Sequence, residues 1–193
     1  LEEELGALAA ADEAVVVTLP ASVTVKQVES TTTGQKLTLK GAADVTLTAQ
    51  VGLDQENGLN TFDGLTVEDS AGSVRLNGNG CAYALTNGAQ MSMKSLSSGT
   101  GVATSLMIGE DCVMTLSGAC QEFGQKTILV DNGKLVHGGF VGQNAGSGTM
   151  TYRLRGKKAR VEFAGSGSSI NNNWKNARFV FEIPEGGYND IPV

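Results

Sequence analysis

Leu37-Thr38-Leu39-Lys40-Gly41-Ala42-Ala43-Asp44-Val45-Thr46-Leu47 is the stretch that decides the fold. It holds two apolar-x-apolar triplets separated by a short turn. Each triplet puts two apolar side chains on one face of a strand, because side chains alternate with a period of two. The phrase returns at Leu65-Thr66-Val67 with Val74-Arg75-Leu76. Further pairs start at Val15/Val23, Tyr83/Met91, Leu106/Met114, Ile128/Leu135 and Tyr152/Val161. Within a pair the second triplet follows the first by 7 to 9 residues. The first triplets begin at Val15, Leu37, Leu65, Tyr83, Leu106, Ile128 and Tyr152, and Phe179 opens an eighth unit. Their mean spacing is about 23 residues, within the range of stacked repeat architectures.

Two ways of burying these triplets compete. Asn87-Gly88 and Asn132-Gly133 are strong signals for antiparallel hairpins. A two-residue hairpin at Asn132-Gly133 would oppose Val130 to Leu135, which keeps the apolar face together. The same hairpin at Asn87-Gly88 would oppose Leu85 to Gln90 and split it. The offsets mix odd and even values, so no single hairpin type serves every unit. Corners of a coil tolerate that mixture, since each strand pairs with the coils above and below. The expected fold is therefore all-β, a right-handed parallel β-helix of about seven coils. An antiparallel β-sandwich or jelly roll is the alternative. Third strands of the coils are expected near Val102, Phe123, Phe140-Val141 and Ile170.

Composition agrees with many short strands and tight turns. The 193 residues include 26 Gly, scattered at strand ends rather than in a triplet period, which excludes collagen. Net charge is −6 and the pI about 4.8, so nucleic acid is not an expected partner. No run approaches the roughly 18 apolar residues that a membrane-crossing helix needs. Residues 1–14 differ from the rest, with Leu1, Leu5 and Leu8 at helical spacing and Glu2, Glu3 and Glu4 near the start. A leader or short helix capping the first coil is expected there. Residues 15–193 form the solenoid domain. No secretory signal is visible, and the absence of an initiator Met suggests a processed chain. The unfinished eighth unit suggests a fragment of a longer one.

Residues 48–64 and 164–177 read as loop insertions, where recognition would gather. Trp174, the only Trp, lies in the second of these and could stack on a sugar face. Arg153, Arg155, Lys157, Lys158 and Arg160 place five basic residues within eight positions. With Arg153 and Arg155 facing outward and a twist or bulge expected at Tyr152 and Leu154, they suit an anionic glycan or protein partner; the plainer reading is charge that blocks edge pairing. His137, the only His, lacks the paired carboxylates of acid–base chemistry and is expected on the surface or in a turn. Asp54, Glu56 and Asp63 form the best acidic group, but Gly58 and Leu59 break the spacing of an EF-hand loop. No metal site, cofactor or catalytic residue is expected. Cys81, Cys112 and Cys120 are read as small packing residues, with a single disulfide left open.

The coil period and the doublet phrase resemble the right-handed β-helices of bacterial surface proteins, the pectin-lyase-like and autotransporter-passenger group. The resemblance covers about residues 15–183. It implies an extracellular or cell-surface setting and a structural or adhesin-like role, with glycan or a surface protein met through the loops. None of the enzyme motifs of that group is matched, so no catalytic residue carries over. A polysaccharide lyase or hydrolase, or a sandwich-type carbohydrate-binding module, is the alternative function.

Overall fold

A computed structural model describes residues 14–30, 36–55, 59–70, 75–77, 82–96, 104–118, 126–139, 148–164 and 177–182. The chain opens with β1 (Val15–Thr18), β2 (Val23–Ser30), β3 (Lys36–Lys40), β4 (Thr46–Gln55) and β5 (Leu59–Asp63). It continues through β6 (Thr66–Asp69), β7 (Arg75–Asn77), β8 (Ala82–Thr86), β9 (Gln90–Met93), β10 (Ser95–Leu96) and β11 (Thr104–Ile108). The last strands are β12 (Val113–Leu116), β13 (Lys126–Asp131), β14 (Lys134–His137), β15 (Gly148–Arg155), β16 (Arg160–Phe163) and β17 (Ala177–Glu182). No helix occurs among the described residues. The capping helix expected at 1–14 falls almost wholly outside them, and so do the third-strand candidates Val102, Phe123, Phe140-Val141 and Ile170.

The strands form two parallel sheets. Sheet A runs β1-β3-β5-β8-β11-β13-β15-β17. Sheet B runs β10-β7-β4-β6-β9-β12-β14-β16, with β2 on β4. All strand pairings among the described residues are parallel. Parallel neighbours need a crossover between them. Here the strand of one sheet is the crossover for the other, which makes the fold an all-β parallel solenoid. The antiparallel sandwich is thereby excluded. Asn87-Gly88 and Asn132-Gly133 are corners between sheets, not hairpin loops. Asn87 and Gly88 both take positive φ, 53° and 75°, and the Ala89 N–H closes the turn on the Thr86 carbonyl at 3.1 Å. At Asn87-Gly88 the local turn chemistry is therefore the expected one, but it turns the chain into the next sheet.

Strand register defines the repeat. Val15, Leu37, Asn60, Tyr83, Leu106, Ile128, Tyr152 and Phe181 stand in one column. Successive members are 22, 23, 23, 23, 22, 24 and 29 residues apart. Two phase assignments from sequence are corrected by this column. Leu65-Thr66-Val67 is not a first triplet: Thr66 and Val67 register with Thr46 and Leu47 in sheet B. Its partner Arg75-Leu76 pairs with Gly52-Leu53 in a further ladder. The first strand of that unit is Leu59–Asp63. Residues 48–64, read as a loop insertion, therefore contain the end of β4 and all of β5. At the other end Phe181, rather than Phe179, occupies the position of Tyr152.

The core lies between the sheets. Leu39, Phe62, Leu85, Ile108, Val130 and Leu154 face Leu47, Val67, Met91, Met114, Leu135 and Val161 as two opposed buried columns. A third buried stack lines the corner from sheet A to sheet B, with Val45, Leu65, Ala89, Cys112, Gly133 and Ala159. Each corner carbonyl accepts the first N–H of the next coil's sheet B strand. The donors are Thr66 to Val45, Gln90 to Leu65, Val113 to Ala89, Lys134 to Cys112 and Arg160 to Gly133, at 2.9–3.2 Å. Backbone bonding thus continues around the bend, so buried corner groups are not left unpaired.

Candidate functional site

The basic run is distributed over three faces by the corner that interrupts it. Arg153 and Arg155 stand on the outward face of β15, because Tyr152 and Leu154 between and before them point into the core. Both are exposed. Lys157 and Lys158 occupy the corner after Gly156, and Arg160 opens β16 on the outer face of sheet B. Arg153, Arg155 and Lys158 each reach an acidic residue on another coil. Arg153 donates to Glu182, its register partner on β17. Arg155 donates to Asp131, its register partner on β13, and that hydrogen bond raises the arginine's pKa. Lys158 lies 3.1 Å from Asp111 and 3.4 Å from Glu110, and its pKa is raised first by the hydrogen bond to Asp111. Arg160 bonds the carbonyls of Lys157 and Ala159. Lys134 and Glu162 form a further cross-coil pair at 2.9 Å.

Corner length explains the reach of Lys158. The chain takes four steps from Val130 to Lys134, against five from Ile108 to Val113 and six from Leu154 to Arg160. The short Asn132-Gly133 corner sits between two longer ones. Lys158 passes over it to the turn at Glu110-Asp111, while its own N–H donates to the Asn132 side chain. All three side chains of the bridge are well exposed. Exposed pairs contribute little and are screened by salt. Lys158→Ala is therefore expected to lower the urea midpoint slightly at low salt and to leave it unchanged at high salt. Beside this bridge, Thr86, Asn87, Gly88, Gly109, Glu110 and Asp111 line an open depression of about 470 Å³.

Other sequence candidates fall as follows. Trp174 lies outside the described residues, as do Glu56, Cys81 and Cys120. Asp63 is engaged by Lys40 at 3.7 Å and by the Asn87 side chain. Cys112 is buried in the corner stack, and burial pushes its thiol pKa up. Among the described residues no three His, Cys, Asp or Glu side chains cluster to hold a metal ion, and no helix is long and apolar enough to cross a membrane.

His137 is the clearest departure from expectation. It is fully buried rather than on the surface. The burial of β14 alternates, with Leu135 and His137 inward. His137 registers with Leu116 on one side and Phe163 on the other, so it fills a core position. Its ring stacks on Phe163, with centroids 5.3 Å apart and planes 17° apart. Tyr152 meets it edge-on at 5.9 Å, and the tyrosine hydroxyl lies 3.2 Å from Nε2. Phe181 stacks on the other side of this group, 5.0 Å from the Tyr152 ring. Among the described residues the Nδ1 atom has no hydrogen-bond partner. Desolvation lowers the imidazole pKa to about 4. The signal was present in sequence, since His137 shares strand parity with Leu135.

Comparison with protein-family models, with curated proteins and with solved structures finds no match to the chain.

Proposed function

We propose that the chain is a non-enzymatic, secreted or cell-surface β-repeat domain of bacterial type, structural or adhesin-like, that meets a glycan or a surface protein. In its finer form the fold is a right-handed β-helix of about seven coils, like the pectin-lyase-like and autotransporter-passenger group. The register spacing of 22 to 24 residues over most of sheet A supports the coil count. The strong right-handed preference of crossovers between parallel strands, about 98%, supports the hand.

The observation that carries the functional reading is the pairing of outward charge between coils. Arg153 with Glu182, Arg155 with Asp131, Lys134 with Glu162 and Lys158 with Glu110 and Asp111 tie neighbouring or next-neighbouring coils together. Such exposed pairs add little stability, but they fix the pattern of outward charge on the scaffold. They also present alternating charge to a polar partner, with Arg153 and Arg155 as the contact cations and Trp174 as a stacking ring. The test is a glycan array combined with a uronic-acid release assay. Binding without turnover, weakened at least tenfold by Arg153→Ala with Arg155→Ala or by Trp174→Ala, is the expected result. Turnover of any polysaccharide would overturn the reading.

A further inference from the structure

The one buried imidazole of this chain sits where strands from both sheets converge. His137 on β14 stacks on Phe163 of β16, meets the edge of Tyr152 on β15, and through Tyr152 reaches Phe181 on β17. Four strands are thus joined by a single aromatic column. We propose that this column is an acid-sensitive latch: protonation of His137 expels it from the core and opens the solenoid from β14 onward, while the strands before it stay paired.

The geometry makes the neutral ring acceptable and the charged ring not. A neutral imidazole can donate from Nε2 to the Tyr152 hydroxyl and leave only a lone pair at Nδ1. In the imidazolium both nitrogens carry protons. Tyr152 can accept one of them, and Nδ1–H then has no acceptor among the described residues. A buried charge also needs a counter-charge. Among the described residues none faces the ring. Leu116 packs from β12, Phe163 from β16 and Tyr152 from β15, and the tyrosine hydroxyl is the one titratable group among them. Among the described side chains of the surrounding strands, Lys134 pairs with Glu162, Arg153 with Glu182 and Arg155 with Asp131, all outside the core. Arg160 turns to the carbonyls of its own corner.

The sign follows from linkage. The unfolded chain takes up the proton near pH 6.5 and the native one near pH 4. Between those values the opened form binds more protons, so stability falls as pH falls. The opening equilibrium shifts by on the order of a hundredfold by pH 4. In a coil stack each unit is held mainly by its neighbours, so the coils that share the aromatic column can yield without the rest.

His137 is the only histidine in the chain, so its proton resonance reports the site without assignment. The experiment follows that resonance and hydrogen exchange from pH 7 to pH 4, corrected for intrinsic exchange rates. Expected are a midpoint near 4 and lost protection in β14, β15, β16 and β17, with β3, β5, β6, β8 and β9 still protected. His137→Leu, which copies Leu116 of the preceding coil, should abolish the acid loss. A midpoint near the ordinary 6.5 in folded protein, simultaneous opening of both regions, or an unchanged acid response in His137→Leu would overturn the latch. If that variant does not fold, the titration and exchange of the unaltered chain decide the matter.

Discussion

Phe62→Ala will destabilise the solenoid by about 3–5 kcal/mol, the usual range for removing a buried aromatic side chain. Phe62 is 2% exposed and stands between Leu39 and Leu85 in one inward column. Its loss removes apolar contact and leaves a cavity between two strands whose positions are fixed by parallel hydrogen bonding. Relaxation cannot close that cavity cheaply, because moving one strand breaks the ladder to the next. Thr61, one residue earlier, has the opposite orientation and is partly exposed. Thr61→Ala should change stability by no more than about 0.5 kcal/mol. Urea unfolding of both variants measures the difference. Equal effects would mean that the inward column is not the core.

Gly133→Ala will destabilise the chain by about 1–3 kcal/mol or more, through overpacking against backbone that cannot give way. A Cβ on Gly133 would lie 2.5 Å from the Gly109 carbonyl oxygen and 2.8 Å from the Ile108 carbonyl oxygen. Both belong to the coil stacked directly on that corner. Gly88→Ala is the control. A Cβ there meets nothing within 4 Å, and the φ of 75° leaves only left-handed backbone strain, of about 1–2 kcal/mol. Thermal unfolding should therefore rank Gly133→Ala below Gly88→Ala. The reverse order would mean that corner conformation, not the approach of stacked coils, sets the tolerance.

Alternation made most of the architecture legible before any coordinates. Leu37, Leu39, Tyr83, Leu85, Ile128 and Val130 show the inward side plainly, and their spacing gives the repeat. Phase failed where a coil broke the pattern. Asn60 occupies the inward position that Leu37 and Tyr83 hold on either side, so Leu59–Asp63 shows no apolar triplet and looks like a loop in sequence. His137 is polar by residue type but inward by parity, and a polar ring at a core position looks like a surface residue until its strand partners are known. The outward placement of Arg153 and Arg155 followed directly from alternation. Their acidic partners did not, because Glu182 and Asp131 lie 29 and 24 residues away in sequence. Only register brings such pairs together.

The unequal corners have a consequence for how this chain can change. Within a strand, one inserted residue would invert every side chain that follows it. In the bend from sheet A to sheet B, four, five and six steps already coexist among adjacent coils. Differences of one or two residues in length are thus accommodated at the bends without shifting the phase of the strands. The chain tolerates editing as a written text does, between words, while the spelling inside each word is held fixed.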